Sequence, residues 1–547
     1  MSNFESKSAG RGRRTRRKSR IAAAAAAAVA VALAVAGCTT SGASPTASTA
    51  AGGTVTWAQS ATPKTLFAPS NYSATDTPIM SLIQDGLLTF GPDSSLKPDI
   101  ATSWRATDST TYEYTIRKGV KFSDGATVTP EDVAYSLGLQ LDPKVASLEA
   151  GLVANVKNIS VSGDKVIVKL NKADSLWKFL PASLIGYVWE KKSVEANLKS
   201  YGTPQTFPIG SGPYKVSEFV ANDHITLVRN PYYWGTKPKW DKVIFKIIPD
   251  DQTRFLALQQ GDIQGTFAVP TTGVAQWQQA TSVVKFPSAI WRGLTLDMSQ
   301  APFSDIHVRK ALYYASDRKA MAAGLFSGLA TVSSTPNDPS VFAGSLSQSE
   351  IDAGYAKIQQ FDFNLDKAKQ EMALSAVPDG FKFTMNVPQE SAVLVQIAQA
   401  LKADWAKINV DATLNLMPGG PRFQLILAHG PNLGVQMIGN LPDGPDPVEL
   451  AYQYFDSAQA VKNGNNSSNF SDPAVDSLLD EAAQSTDPKA AAKLILKAQQ
   501  LASAQVPVIP LVWQEGLVAL KKGWTVSPGF QPFYYTSLWI NQIHPKS

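Results

Sequence analysis

Residues 208–265 read PIGSGPYKVSEFVANDHITLVRNPYYWGTKPKWDKVIFKIIPDDQTRFLALQQGDIQG and carry the densest structural pattern of the chain. Alternating apolar residues predict three strands, followed by a short helix that stops at Gly261. Gly210 and Gly212 are expected to turn the chain through positive φ angles before the first strand. Because the stretch has no evident reactive group, it predicts a packing module.

The length and composition of the chain indicate a soluble globular protein with more than one domain. The 547 residues exceed what one hydrophobic core usually supports, so two or three domains are expected. With 44% hydrophobic and 17% charged residues, the composition is typical of folded domains. The single cysteine excludes an internal disulfide framework and a CxxC metal site. We expect no cofactor and no bound metal.

The N-terminus has the pattern of an export signal. Residues 1–20 contain eight basic residues and one acidic residue, and residues 21–36 are an unbroken run of Ala, Val, Leu and Ile. This apolar run is shorter than the roughly 20 residues that a membrane span needs. A basic segment followed by a short apolar segment predicts a signal peptide over residues 1–37. The arginine pairs within residues 13–17 leave both the Sec and the twin-arginine export routes open.

Cys38 follows two small residues, and this sequence resembles the lipobox of bacterial lipoprotein precursors. The resemblance implies that Cys38 carries a lipid, becomes the mature N-terminus and anchors the chain to the outer face of the bacterial cytoplasmic membrane. The alternative is a buried free cysteine after a membrane anchor. Residues 38–53 consist mainly of Ser, Thr, Ala and Gly and predict a flexible tether.

The basic charge of the chain lies in its leader. The whole sequence has 50 basic and 45 acidic residues, and 42 basic and 44 acidic residues remain after residues 1–37 are removed. No basic excess is left that could neutralise a phosphate backbone, so nucleic acid is not expected as a partner.

Several recognisable motifs follow one another along the chain. They are LKPDIATSW (96–104), TYEYTIRKGVKFSDGATVTPEDVAYSL (111–137), PIGSGPYK (208–215) with RNPYYWGTKPKWDKVIFKIIPD (229–250), and APFSDIHVRKALYYASDR (301–318). In this order they resemble the motifs of the family 5 extracellular solute-binding proteins, which are the dipeptide-, oligopeptide- and nickel-binding subunits of ABC importers. The resemblance covers roughly residues 54–528.

Helix and strand signals alternate over the remaining chain and predict α/β lobes. The resemblance implies a two-lobed, hinged fold of the periplasmic-binding-protein type, with a cleft between the lobes and an inserted α/β subdomain. The expected boundaries are residues 54–72, 206–286 and 505–547 for lobe I, 73–205 for the inserted subdomain and 287–504 for lobe II.

The resemblance also suggests where the ligand binds. In peptide-binding members an aspartate after a strand of the second lobe holds the α-amino group of the ligand. The matching stretch is VQMIGNLPDGPD (435–446), in which this position falls on Asn440 or Leu441. Asp443 or Asp446 is expected to substitute, and the alternative is that both aspartates cap turns.

Other candidate ligand contacts lie near the expected hinge and strand ends. Trp291 is the favoured aromatic wall, and Arg292 beside it is a candidate contact for a carboxylate or hydroxyl group. Gln59, Tyr72 and Trp513 are further candidates. For the tryptophans, core packing is the alternative.

The sequence therefore predicts a lipid-anchored, monomeric binding protein that delivers an oligopeptide to the transmembrane permease subunits of an ABC importer. An oligosaccharide and a nickel chelate are the alternative ligands. The four histidines lack HExxH spacing, and no Walker or GxSxG motif is present, so an enzyme is not expected. A lipid-anchored hydrolase is the alternative from another class.

Overall fold

The computed structural model describes residues 52–546 except 72–75, 92–94, 146, 148, 272, 431–432, 443, 486 and 531–538. Residues 51–547 form one compact unit. The predicted signal peptide, Cys38, Tyr72 and Asp443 lie outside the described residues.

Strands run through the whole described chain. Their bounds are β1 (Thr54–Gln59), β2 (Leu88–Phe90), β3 (Leu96–Pro98), β4 (Ala101–Asp108), β5 (Thr111–Ile116), β6 (Val156–Ser162), β7 (Lys165–Leu170), β8 (Tyr214–Val220), β9 (His224–Arg229), β10 (Lys242–Ile247), β11 (Gly265–Thr266), β12 (Ser282–Leu296), β13 (Ala330–Val332), β14 (Phe381–Pro388), β15 (Val410–Met417), β16 (Val435–Asn440), β17 (Val508–Leu520), β18 (Trp524–Val526) and β19 (Ile543–Pro545).

Helices alternate with these strands, most densely between β12 and β17. Their bounds are α1 (Thr77–Ile83), α2 (Pro130–Gly138), α3 (Lys191–Asn197), α4 (Asp251–Gln260), α5 (Val274–Ala280), α6 (Ile306–Ala315), α7 (Arg318–Phe326), α8 (Gln348–Tyr355), α9 (Leu365–Leu374), α10 (Ala392–Ala406), α11 (Gly419–Ala428), α12 (Glu449–Phe455), α13 (Pro473–Gln484) and α14 (Pro488–Gln505).

One large mixed sheet joins the early and late parts of the chain. Its strand order is β15-β14-β16-β12-β17-β11-β1-β10-β9-β8, with β13 added to β17. The strands on one side of β12 and β17 come from residues 381–440, and those on the other side come from residues 54–59 and 214–266. The two long central strands therefore connect two α/β halves.

The pairing of β12 with β17 is interrupted where the halves meet. The register shifts between Phe286 and Ile290 and again between Arg292 and Gly293. Ala289, inside the first interruption, has a φ of 49°, which costs energy for a residue with a side chain. Such irregular backbone at the centre of two long strands is where a hinge between the halves would bend.

Residues 73–205 (the inserted segment) build a smaller sheet of their own. Its strand order is β4-β5-β7-β6, all antiparallel. The sheet covers a separate apolar core that includes Tyr114 and Trp177, whose Nε1 donates a hydrogen bond to the Tyr114 hydroxyl. Residues 287–504 (the second-lobe segment) carry most of the helices. The domain boundaries predicted from the sequence remain a prediction.

The stretch 208–265 folds largely as its pattern predicts. Strands β8, β9 and β10 are antiparallel neighbours, and α4 ends at Gly261, which has a φ of 86°. The prediction for Gly210 and Gly212 was wrong, since neither is among the glycines with positive φ. A Cβ at either position would instead overlap the backbone or side chain of Ile83 and Gln84. Glycine is needed there for close approach to the end of α1.

Two carboxylates of the inserted segment lie close together: Asp85, which is buried against the stretch 208–265, and Asp99, which is half-buried. Asp85 accepts a hydrogen bond from Nε1 of Trp234 at 2.9 Å, and Asp99 accepts one from the amide of Gly86 at 3.2 Å. Burial raises the pKa of Asp85 to about 6. It also raises the pKa of Asp99, to which the charge of Asp85 adds.

Replacing Asp85 by asparagine should change how stability depends on pH. A carboxyl whose pKa is raised in the folded state keeps a proton that the unfolded chain has lost, so its stabilising contribution falls as the pH rises from about 4 to 6. The Asn variant lacks this titration. Its free energy of unfolding, relative to wild type, should therefore rise on the order of 2 kcal/mol between pH 4 and 7.

Urea unfolding at four pH values between 4 and 7 measures this difference. Asp164→Asn is the control, because the Asp164 side chain is 45% exposed. A difference between the Asp85→Asn variant and wild type that stays constant over the pH range would contradict the interpretation.

Candidate functional site

Three of the predicted site residues lie side by side on neighbouring strands. Trp291 of β12 is paired with Asn440 of β16 on one side and with Trp513 of β17 on the other. The sheet topology thus brings together residues that are about 70 to 220 positions apart in the sequence. They mark the centre of the large sheet, where the two halves join.

Both tryptophans of this row are packed in the core. Trp291 is 0% exposed and makes an edge-on contact with Tyr454, with ring centroids 5.0 Å apart. Trp513 is buried, and its Nε1 donates a hydrogen bond to the carbonyl oxygen of Thr335 at 3.0 Å. In this conformation both indoles pack in the core, which is the alternative that the sequence left open for the tryptophans. A direct ligand contact by either indole remains a prediction.

Arg292 and Gln59 are also enclosed. Arg292 donates hydrogen bonds from Nε and Nη2 to Oε1 of Gln514, at 3.2 and 3.0 Å, and burial lowers its pKa to about 10. Gln59 is buried at the end of β1. Neither lines the cavities described below.

Asp446 stabilises the turn that leads into α12. Its Oδ1 accepts hydrogen bonds from the amides of Val448 at 2.9 Å and Glu449 at 3.0 Å, at the start of α12. Burial raises its pKa to about 6. Its carboxylate therefore stabilises the entry to α12, and the alternative that this aspartate caps a turn describes the observed geometry.

A polar cavity of about 180 Å³ opens at the C-terminal end of β16. The second-lobe segment supplies most of its walls, from β16, α11 and α12, and the inserted segment supplies Glu149. Asn440 and Leu441, the two positions at which the resemblance placed the ligand contact, both line it. The polar lining includes Glu149, Arg422, Asn440, Glu449, Gln453 and Tyr454.

A chain of hydrogen bonds orders one wall of this cavity. Nδ2 of Asn440 donates to Oε1 of Gln453 at 2.8 Å and to the hydroxyl of Tyr454 at 3.0 Å. Nε2 of Gln453 donates in turn to Oε1 of Glu449 at 3.0 Å. Such a network holds the polar groups in fixed positions before a ligand arrives. Asn440 itself contributes no formal charge.

Arg422 lines the cavity from α11 and was not among the residues predicted from the sequence. Its Nε is buried without a hydrogen-bond partner among the described residues, and its Nη1 lies 3.4 Å from Oε1 of Gln436. Burial lowers the pKa of its guanidinium. Arg422 is the only charged residue of the otherwise apolar and amide-bearing α11, which is the signal that could have identified it.

Glu149 faces the same cavity from the inserted segment and was also missed. No described residue donates a hydrogen bond to its half-buried carboxylate. Burial raises its pKa to about 7. In the sequence Glu149 is an ordinary loop carboxylate, and no local pattern indicates that it lies close to Asn440.

A second cavity, of about 470 Å³, adjoins the first. It shares Glu449, Gln453 and Asn465 with the first cavity. From the inserted segment it is lined by residues 151, 152, 154, 155, 171–174 and 176. A third, more apolar cavity of about 380 Å³ also lies between the inserted segment and the second-lobe segment. All three cavities therefore bridge these two parts of the chain.

The described part of the chain contains no group of three or more His, Cys, Asp and Glu side chains arranged to hold a metal ion. None of its helices is both long and apolar enough to cross a membrane.

The chain is similar to known proteins over most of its length. The model of the bacterial extracellular solute-binding proteins, family 5 (middle part), matches residues 95–462. Heme-binding protein A of Haemophilus influenzae is 26% identical over 482 residues, which cover 81% of this chain and 84% of that protein. Glutathione-binding protein GsiB of Salmonella typhimurium is 26% identical over 467 residues, which cover 83% and 88%.

The fold is similar to that of the periplasmic binding protein DppA from Helicobacter pylori, solved in complex with the peptide STSA. The TM-score is 0.77 at 23% identity, over 91% of this chain and 98% of that chain. The predicted two-lobed α/β fold of the periplasmic-binding-protein type is thereby confirmed.

Proposed function

Because this chain belongs to the family 5 bacterial extracellular solute-binding proteins, we propose that it captures an oligopeptide in the cavity beside Asn440 and delivers it to the permease subunits of an ABC importer. Family membership makes the chain an extracellular solute-binding protein, as its motifs predicted. The side chains that line the site support one class of solute over the others.

The observation that carries the proposal is the shared construction of the cavity beside Asn440. Glu149 comes from the inserted segment, and the other polar groups come from the second-lobe segment. A ligand that contacts both parts stabilises the closed arrangement over an open one. A permease that recognises the closed surface would thereby distinguish loaded from empty protein.

The lining favours a peptide. A peptide presents a cationic terminus, an anionic terminus and amide groups, and the cavity presents carboxylates, a guanidinium and side-chain amides. Among the relatives, GsiB is named for glutathione and the DppA structure contains a tetrapeptide. Another relative is named for heme, so family membership alone does not select the ligand. The charged groups of the cavity support a peptide over an uncharged ligand.

The remaining parts of the proposal concern location and mode of action. The protein acts as a monomer outside the cytoplasm, held to the outer face of the membrane by a lipid on Cys38. It binds its ligand without altering it. The names of the two relatives support binding without chemical change, and the lipobox-like sequence before Cys38 supports the lipid anchor.

A thermal-shift experiment tests the proposed ligand class. A random tripeptide library should raise the melting temperature by several degrees, because a ligand at 100 times its Kd stabilises the folded state by about 2.7 kcal/mol. An oligosaccharide mixture is the comparison. Mass spectrometry of the peptides before and after incubation should find them intact.

Two outcomes would contradict this proposal. A shift produced by the oligosaccharides alone would replace the peptide by a sugar as ligand. Cleaved peptides would favour the hydrolase alternative.

A further inference from the structure

If a peptide binds in the cavity beside Asn440, a group other than Asn440 has to balance the positive charge of its ammonium terminus. The side chain of Asn440 is neutral, and its Nδ2 already donates two hydrogen bonds, to Gln453 and Tyr454. An ammonium that leaves water needs a negatively charged partner to offset its desolvation. The nearby Asp446 accepts hydrogen bonds in the turn before α12 and is not part of the lining of this cavity.

Glu149 has the properties required of that partner. Its carboxylate lines the cavity, and no described residue pairs with it by a hydrogen bond or an ion pair. The other carboxylate of the lining, Glu449, is 2% exposed and already accepts a hydrogen bond from Gln453. An ammonium group of the ligand would therefore give the carboxylate of Glu149 a partner of opposite charge.

Arg422 supplies the opposite charge in the same cavity. Its buried Nε has no partner among the described residues, and the planar guanidinium suits a carboxylate. The cavity of about 180 Å³ is smaller than the 300–1,000 Å³ typical of pockets for drug-sized ligands, so it suits a compact ligand such as a dipeptide. The adjoining cavity of about 470 Å³ has room for larger side chains or a further residue.

We propose that this cavity binds both charged termini of a short peptide, with the ligand ammonium on Glu149 and the ligand carboxylate on Arg422. This inference rests on the proposed function and adds the charge pattern of the ligand to it. Because Glu149 belongs to the inserted segment and Arg422 to the second-lobe segment, the bound peptide links the two parts. The ammonium contact is thus made by Glu149 and not by Asn440, the position at which the resemblance expected it.

Blocked peptide libraries test the two contacts separately. Wild-type protein should bind a random library of di- and tripeptides about ten- to hundredfold more tightly than the same library after N-acetylation, and C-amidation should also weaken binding. Glu149→Gln should abolish the preference for a free amine and keep the preference for a free carboxylate. Arg422→Gln should do the reverse. Affinity is measured by library depletion and mass spectrometry.

Two matched variants control for nonspecific charge effects. Glu195→Gln removes a carboxylate that is 55% exposed on α3 of the inserted segment, and Lys402→Gln removes a cation that is 48% exposed on α10. Neither residue lines the cavity, so both variants should keep the wild-type preferences. Melting temperatures of all four variants show whether each one is folded.

The pH dependence of binding gives a readout that a purely structural role would not change. Only the ionised form of Glu149 pairs with an ammonium, and burial places its pKa at about 7 in the unliganded protein. Affinity for the free-amine library should therefore rise about tenfold from pH 5.5 to 7, a range in which the ligand amine stays protonated. Arg422, Glu449 and Tyr454 also face the site, and they are unchanged in Glu149→Gln, whose affinity should lack this rise.

The outcomes separate this inference from the proposed function. Equal binding of free and acetylated peptides, or a free-amine preference that survives Glu149→Gln, would overturn the inference and leave peptide binding intact. Failure of every peptide library to bind would contradict the proposed function, and the inference with it.

Discussion

Replacing Trp291 by alanine is expected to destabilise the protein by about 3–5 kcal/mol, because it removes a fully buried indole from the centre of the large sheet. The indole packs edge-on against Tyr454, with ring centroids 5.0 Å apart. The Tyr454 hydroxyl accepts a hydrogen bond from Asn440, so the cavity left behind would also loosen one wall of the ligand site. Affinity for peptides should fall together with stability.

Urea unfolding and peptide titration of the same variant measure the two effects. Trp57→Ala is the matched control, because Trp57 is also fully buried but packs against Phe267 and Trp539, away from the cavity. It should lose similar stability and keep its affinity for peptides. If Trp291→Ala kept wild-type affinity, Trp291 would have no role in holding the site together.

Replacing Arg318 by methionine is expected to have an effect of similar size, about 3–5 kcal/mol on the free energy of unfolding. The guanidinium is 3% exposed and donates hydrogen bonds to the carbonyl oxygens of Ser333 at 2.8 Å and Phe361 at 3.2 Å, and to the Tyr313 hydroxyl at 3.1 Å. Each buried acceptor left without a partner costs about 1–3 kcal/mol.

The position of Arg318 explains why the loss should be large. It is the first residue of α7 and the last residue of the motif 301–318, and it holds three separate parts of the second-lobe segment together. Arg318→Lys should recover only part of the loss, because an ammonium lacks the fork of donors that reaches several carbonyls.

Chemical denaturation of the Arg318 variants is compared with Arg105→Met. The Arg105 side chain is 66% exposed, and its surface ion pair with Glu113 contributes less than about 1 kcal/mol. A loss for Arg318→Met no greater than that for Arg105→Met would mean that water replaces the guanidinium at its acceptors.

Local patterns predicted much of the fold. The alternation in residues 208–265 predicted β8, β9 and β10, and Gly261 marked the end of α4. Thr129 as a capping residue and Pro130 at the first helical position are the local signals at the start of α2, where the capping box is present. These signals act within a few residues, so the sequence displays them directly.

The prediction of positive φ angles at Gly210 and Gly212 was wrong, because the glycines are required by a long-range contact that the local sequence does not show. Both glycines lie against the end of α1, where any Cβ would overlap Ile83 or Gln84. A close approach between segments more than 120 residues apart is a property of packing.

The sequence by itself determined the family and identified the stretch around Asn440 as part of the site. Motifs and strand ends can be recognised from short runs of neighbouring residues. Only the tertiary structure decided which side chains face that stretch. Glu149 and Arg422 are 273 positions apart in the sequence, and both line one cavity because the inserted segment packs against the second-lobe segment. The same packing buries Trp291 and Asp446. Burial and charge pairing depend on long-range contacts, which no local pattern records.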